Sequence, residues 1–430
     1  MRKPMSMNIR ESDAMNFEAD VLQQELAVVD FYSTECPPCE ALASKYEALS
    51  EIYGHKIRFV KVFRQANREL AKSLDVTGSP SVLFFQNGKQ VGSKLTGGIR
   101  RKELEAQFEA MIPQEVAALK AKVRPQETRV DVLILGGGPA GLTASIYLAQ
   151  AHQKVLVVDT ALPGGFVATT HQVSNYPGFI QPQDGYLLSH NIAEQAKANG
   201  VQFRSAVDVD EVDLENHSVR LDGWETILAR KVIIATGSKP KLLGVPGELE
   251  YRGHGVSYCA TCDGKYYQEK EIVVIGGGNS AVEESLFLAK FASKITLVHR
   301  SSHLRANKEA QAKALAEPKM TFLFEHQVRE IRKRASFDMS VVVQDLKTGE
   351  LKVLDSAGVF VFIGFEPNVE MFGGRLKLDP WGYVEVDSEM RTNIPGVFSA
   401  GDVNAKPFRQ ITTAVADGTI AAIAATKELE

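Results

Sequence analysis

The four cysteines of the chain form two pairs, Cys36-Pro37-Pro38-Cys39 and Cys259-Ala260-Thr261-Cys262. Thiols at that spacing can close a small disulfide ring that opens and closes with two electrons. Asp263 follows the second pair directly, ahead of Gly264, where a carboxylate can give or take the proton each cycle requires. Zinc is the competing use of such pairs, but zinc ribbons set theirs about 15 to 20 residues apart with further ligands nearby. Here more than two hundred residues intervene. Disulfide exchange is therefore expected, and no metal site.

Each pair needs an element to hold it. Leu26 to Tyr32 is an apolar, β-branched and aromatic run, the mark of a buried strand, and Cys36 follows it closely. From Glu40 to Tyr53 the apolar residues Leu42, Tyr46, Leu49 and Ile52 keep helical spacing, so the first pair opens a helix. Unpaired N–H groups at a helix start favour a thiolate, which makes Cys36 the attacking thiol and Cys39 the resolving one. Ile57 to Phe63 reads as a second strand, Arg68 to Leu74 as a short helix, and Ser81 to Phe85 with Gln90-Val91 as a hairpin across Asn87-Gly88. This order, with Gly78-Ser79-Pro80 before the hairpin and Gly97-Gly98 before a last helix, resembles thioredoxin over about one hundred residues. The resemblance implies that Pro80 is a cis-proline facing the disulfide and that Asp30 is the buried carboxylate managing protons for Cys39. Two residues depart from it: Glu35 stands where thioredoxins usually carry Trp, and Pro37 where they usually carry Gly. Residues 1–111 are assigned to this domain. Residues 112–129, with Pro113, Pro125 and no broad apolar face, read as a semi-rigid spacer that lets it swing.

Two dinucleotide-binding patterns follow. Val130 to Leu135 is a strand, Gly136-Gly137-Gly138-Pro139-Ala140-Gly141 the turn, Leu142 to Gln150 a helix, and Lys154 to Asp159 a second strand ending in an acid. Glycines there let the backbone approach a pyrophosphate, the helix start receives its charge, and Asp159 can bind a ribose hydroxyl. The pattern recurs in Glu271 to Ile275, Gly276-Gly277-Gly278-Asn279-Ser280-Ala281, Val282 to Lys290 and Lys294 to Val298, but this second strand ends in His299-Arg300. Arg300, with Arg305 beyond it, would attract the 2'-phosphate of NADPH, where an acid would favour NADH. Two such folds in a redox chain imply a flavin and a nicotinamide.

From Val130 to the C-terminus the chain strongly resembles the low-molecular-weight thioredoxin reductases. The matching pieces are Gly136 to Gly141, Asn175-Tyr176-Pro177-Gly178, Ala235-Thr236-Gly237, Cys259 to Gly264, Gly276 to Ala281, His299-Arg300, Gly364 with Pro367-Asn368, and Gly401-Asp402 with Arg409-Gln410-Ile411. The resemblance implies an FAD domain in two parts, 130–244 and 368–430, with a nicotinamide domain, 245–367, inserted between them. FAD would lie against Gly136, Gly138, Pro139, Ala140, Gly141, Asp159, Gly165, Asn175, Ala235, Thr236, Gly237, Gly401, Asp402, Arg409, Gln410 and Ile411. NADPH, or NADH, would lie against Gly276, Gly278, Asn279, Ser280, Glu283, His299, Arg300 and Arg305. It also implies a homodimer, and a nicotinamide domain that rotates to present the nicotinamide and the disulfide to the flavin in turn. Ser301 replaces the second of two adjacent arginines usual in that family, and Phe166 stands where a Gln is usual near the flavin.

The expectation is an α/β protein: an N-terminal thioredoxin fold followed by two Rossmann-like domains. Its expected activity is flavin-dependent reduction of a protein disulfide, with electrons passing from NAD(P)H through FAD and Cys259-Cys262 to Cys36-Cys39. Rival readings are a peroxiredoxin-serving reductase similar to the flavoprotein subunit of alkyl hydroperoxide reductase, an NAD(P)H oxidase, and a redox-sensing binding protein. The first of those families carries two thioredoxin folds before its flavin domain, and only one fits here. A hydrophobic share of 44%, a charged share of 24% and a net charge of -4 over 430 residues give no reason to expect nucleic acid or an anionic membrane as partner. Without an apolar leader or an 18-residue apolar run, a cytoplasmic protein is expected.

Overall fold

The computed structural model describes residues 8–34, 36–115, 118–119, 125–170, 173–334 and 338–430. Glu35, and most of the expected spacer between 116 and 124, lie outside the described residues.

The N-terminal unit is a five-stranded sheet in the order β1-β3-β2-β4-β5, built from β1 (Ile9–Ser12), β2 (Leu26–Tyr32), β3 (Arg58–Phe63), β4 (Ser81–Gln86) and β5 (Lys89–Thr96). β2 is central and covered on both faces, which is why its sequence runs apolar without alternation. α1 (Pro37–Tyr53) buries Leu42, Tyr46, Leu49 and Tyr53 against one face together with Leu104 and Phe108 of α3 (Arg101–Met111), while α2 (Arg68–Ser73) contributes Ala71 to the other. Pro37 and Pro38 are tolerated because the first turn of a helix has no N–H partner to lose. Ile112 and Leu119 are buried in this core, so the stretch read as lacking an apolar face does bury two side chains.

The larger sheet begins earlier than expected. β6 (Gln126–Leu135) pairs in parallel with β11 (Glu225–Ile234) along its whole length, so Gln126 to Arg129 belong to the sheet rather than to the spacer. β7 (Val155–Asp159), β8 (Gln202–Ser205), β9 (Val209–Asp213) and β10 (Ser218–Leu221) complete the order β8-β7-β6-β11-β10-β9, and β22 (Val397–Ser399) returns from far along the chain to pair with β11. α4 (Pro139–Gln150) and α5 (Gly185–Ala198) cover one face. The last helix, α9 (Ile411–Leu429), lies against α4 with alanines on the facing surface, Ala414, Ala421, Ala422 and Ala425 meeting Ala140 and Ala144. That approach is close: a Cβ on Gly418 would stand 2.2 Å from the Ala140 carbonyl oxygen.

Between β11 and β22 a second unit is inserted. Its parallel sheet runs β13-β20-β14-β15-β16, from β13 (Val256–Ser257), β14 (Glu271–Ile275), β15 (Lys294–His299), β16 (Met320–Phe324) and β20 (Gly358–Val361), with α6 (Ala260–Asp263), α7 (Asn279–Leu288) and α8 (Lys308–Ala316) in the connections. An antiparallel sheet of β17 (His326–Lys333), β18 (Met339–Asp345) and β19 (Leu351–Ser356) lies beside it. The chain enters and leaves the insertion through one antiparallel ribbon, β12 (Ser238–Pro240) paired with β21 (Phe365–Pro367).

Candidate active site

Both glycine-rich turns are built alike. Gly136 ends β6 at φ +112° and a Cβ there would stand 2.2 Å from the Ala235 carbonyl oxygen; Gly276 ends β14 at φ +147° and its Cβ would stand 2.4 Å from that of Phe362. Only glycine fits either position, and each leaves a helix start, Pro139 or Asn279, facing out of the sheet edge.

The first turn opens onto a cavity of about 970 Å³. Gly136, Gly138, Pro139, Ala140, Asp159, Gly165, Asn175, Ala235, Thr236, Gly237, Gly401, Asp402, Arg409, Gln410 and Ile411 all line it, and so do Cys259, Cys262 and Asp263 from the inserted unit. Gly141 packs beneath it, where a Cβ would meet the Gly136 carbonyl at 2.0 Å. Asp159 accepts from the N–H of Gly137 at 2.6 Å and of Ala161 at 2.8 Å; burial raises its carboxyl and these two bonds pull it back. Each of its oxygens keeps a second acceptor position for a ligand hydroxyl. Asp402 is raised mainly by burial, and its Oδ1 makes no hydrogen bond among the described residues although Lys406 Nζ is 3.5 Å away. A buried carboxylate oxygen without a donor, at the mouth of a helix start cradled by glycines, fits a polyhydroxylated, pyrophosphate-bearing cofactor such as FAD.

Cys259 and Cys262 are joined, and Cys259 Sγ caps α6 by accepting from the Cys262 N–H at 3.2 Å. Asp263 accepts a 2.5 Å hydrogen bond from Ser257 Oγ, which also accepts from the Cys259 N–H. A polar chain ties the disulfide to the larger sheet: Thr261 Oγ1 lies 3.4 Å from Cys259 Sγ and accepts from Gln410, whose Oε1 accepts from Asn175. Arg252 closes the other side. Its guanidinium is 4.5 Å from the Phe166 ring centre and 5.5 Å from that of Tyr258, so one cation stacks on rings from both units.

The second turn faces elsewhere. Ser280 reaches the large cavity, but Gly276, Gly278, Asn279, Glu283, His299, Arg300 and Arg305 do not line it. Arg305 N–H donates to the Gly277 carbonyl at 2.7 Å, and the His299 ring sits so close under Gly277 that a Cβ there would meet it at 2.4 Å. His299 is 3% exposed, with no hydrogen-bond partner for Nε2 among the described residues, and its basicity is lowered by burial and then by Arg305 and Arg300. Arg300 and Arg305 themselves are exposed. Glu283 bonds to Asn307 beside a second, smaller cavity of about 280 Å³; it is the adjacent Glu284 that lines the large one, with its carboxyl raised by burial.

The N-terminal pair stands apart from this cavity. Cys36 caps α1 and is joined to Cys39, its Sγ lying 3.5 Å from the Ser79 carbonyl oxygen beside the cis Ser79-Pro80 bond. Asp30 is fully buried in β2, paired with Val82 two residues after Pro80, with Lys61 Nζ 3.8 Å away; burial pushes its carboxyl up to about 6, against the pull of Lys61.

Residues 130–418 match the family described as pyridine nucleotide-disulphide oxidoreductase, and residues 8–110 match thioredoxin. The chain belongs to the pyridine nucleotide-disulphide oxidoreductases. Within that family it is similar to the thioredoxin reductase of Peptoclostridium acidaminophilum, at 42% identity over 71% of this chain and 98% of that one. The thioredoxin reductase of Bacillus subtilis matches at 42% over 69% and 94%. The solved thioredoxin reductase of Streptococcus pyogenes superposes with a TM-score of 0.66 at 38% identity, covering 70% of this chain and 98% of that one. The chain therefore joins an N-terminal thioredoxin domain to a thioredoxin-reductase-like flavin disulfide oxidoreductase, with both cysteine pairs closed.

The sequence reading of this oxidoreductase passed over Glu284, Arg252 and Tyr383, whose ring lies 3.9 Å from the Arg409 guanidinium. A glutamate pair on one helix, and single aromatic or basic residues in loops, carry no spacing signal. Lys45, missed as well, did leave one: it falls on the apolar stripe of α1 between Leu42 and Leu49, where a charge needs a partner.

Proposed function

We propose that this protein is an NADPH-dependent reductase that passes electrons from Cys259-Cys262 to its own Cys36-Cys39 and then to the disulfide of another protein. The observation that carries the reading is the meeting of Cys259, Cys262 and Asp263 with the Gly136–Gly138 turn and Asp402 in one cavity. FAD bound there would supply the two-electron chemistry that links a nicotinamide to a disulfide. Gly136, Gly138 and the start of α4 would hold the pyrophosphate, Asp159 a ribose and Asp402 the polyol chain. The second turn, with Arg300, Arg305 and the unpartnered Nε2 of His299, would hold NADPH in preference to NADH.

Opening the Cys259–Cys262 bond takes two electrons and two protons, and Asp263, which lines the same cavity, would supply a proton to the departing sulfur. One of the resulting thiolates displaces a sulfur of Cys36–Cys39 to form a mixed disulfide, and its neighbour displaces it in turn. That regenerates Cys259–Cys262 and leaves Cys36 and Cys39 as thiols. Cys36 then attacks the outside disulfide, and Cys39 resolves the mixed disulfide with its proton managed by Asp30. A peroxiredoxin is one acceptor class of this kind. We place the reaction in the cytoplasm and in a homodimer, which allows the relay to run within one chain or between two.

An anaerobic titration with NADPH and with NADH, following flavin absorbance and free thiols, tests the relay in wild type and Cys36→Ser. Uptake by the flavin and two disulfides in the wild type, and by one disulfide fewer in the variant, is the expected result. A reduced flavin beside an oxidised Cys36–Cys39 would sink it.

A further inference from the structure

The N-terminal unit is held against the larger sheet by contacts that the relay does not use. Lys45, 6% exposed, donates from Nζ to the Ile99 carbonyl of its own unit at 2.9 Å and to the Ala206 carbonyl of the larger sheet at 2.7 Å. Around it, the basic start of α3 faces an acidic rim. Arg100 lies 3.5 Å from Asp208, Lys102 lies 3.0 Å from Asp210, and Arg101, 2% exposed, stacks on Trp224 at 5.2 Å. Burial pushes the Lys45 ammonium down to about 8, against the pull of Asp222, Asp208 and Glu103.

The same contact reaches both flanks of the Cys36–Cys39 bond. Glu40, next to Cys39, pairs with Lys197 of α5 at 2.7 Å. On the other flank Thr96 pairs with Ser81, directly after Pro80, which brings Gly97-Gly98 alongside the disulfide; Leu162 would stand 3.6 Å from a Cβ at Gly98. An outside disulfide must approach Cys36 in line with its sulfur, between those flanks.

We infer that the rim of Asp208, Asp210 and Ala206 is a docking surface for the chain's own thioredoxin domain, and that docking shields Cys36–Cys39 until the domain is released. The consequence for turnover rests on the reductase reading, but the docking and the shielding do not. The partly exposed Arg100–Asp208 and Lys102–Asp210 pairs are the salt-sensitive part of this contact, and release breaks no element of either fold.

The test uses the full-length, flavin-loaded protein, with Arg100→Glu/Lys102→Glu and, separately, Lys45→Met, which keeps the stem of the side chain. Small-angle scattering reads docking, and the rate at which iodoacetamide labels Cys36 after reduction with dithiothreitol reads shielding; neither needs turnover. Wild type should be compact at low salt, and both variants should be expanded, with Cys36 labelled several-fold faster at an unchanged apparent pKa. About 0.5 M salt should move wild type toward the double variant. An expanded wild type at low salt, or variants with wild-type scattering, would overturn the docking. Expanded variants with unchanged labelling would overturn the shielding.

Discussion

Asp30 shows what a single buried carboxylate costs. Burial pushes its carboxyl up to about 6, above the ordinary aspartate value of 3.8, so the folded domain binds this proton more tightly than the unfolded chain does. The associated stability is fully present below about pH 4 and is lost as pH rises through 6, amounting to on the order of 2 to 3 kcal/mol by pH 7. Asp30→Asn should therefore raise the denaturant midpoint of the N-terminal domain at pH 8 and leave it nearly unchanged at pH 4. Reduction of an outside disulfide should slow if the carboxylate serves Cys39. Asp263 is open to a cleaner kinetic test. Replacing it with Asn keeps the hydrogen bond from Ser257 in reach and removes the proton, so turnover with a disulfide acceptor should fall about 100-fold while flavin reduction by NADPH holds its rate. At the nicotinamide site, Arg300→Glu should raise the KM for NADPH by about tenfold or more and leave that for NADH almost unchanged, measured by steady-state flavin turnover. Equal effects on both would remove the case for NADPH. These residues were legible in the sequence because each stands at a fixed offset from a glycine turn or a cysteine pair. Glu284 and Arg252 were not, since what singles them out is the cavity wall that distant segments build together.

Among the elements, α9 and α4 depend on a close approach. A Cβ at Gly418 would fall 2.2 Å from the Ala140 carbonyl, a backbone atom that cannot swing aside. Gly418→Ala should push α9 off α4 and shift Ala140 and Gly401, which line the cavity. The expected result is a folded protein with a markedly lower ratio of flavin to protein absorbance after purification. A wild-type ratio would mean that the helices can slide without cost. Strands and helices next to the motifs could be read from sequence because β2, the second half of β6 and β14 are mostly apolar runs followed closely by cysteine or glycine punctuation. The start of β6 could not. Gln126-Glu127-Thr128-Arg129 is polar throughout and joins the sheet only because Glu225 to Leu228 pairs with it, a partner about one hundred residues away. Burial of Leu119 is a similar case, set by the core it reaches rather than by the small and charged residues beside it, Ala118 and Lys120.

At the scale of the whole molecule, two redox-active disulfides stand in different units and only one of them lines the cavity. The order of units was legible from repeated glycine turns, but the seating of the first unit was not, because it depends on surface charges from Arg100 to Lys102 and from Asp208 to Asp222 that look solvated in one dimension. The ribbon of β12 and β21 has a consequence of another kind. Lys239 stands opposite Glu366 in that ribbon, so the segment between them begins and ends at adjacent points. Such a segment can be gained or lost by a gene in one piece, like a cassette, without stretching what remains. Joining Pro240 to Phe365 through an Asn-Gly turn should leave a shorter chain that still folds and still comes out of purification yellow.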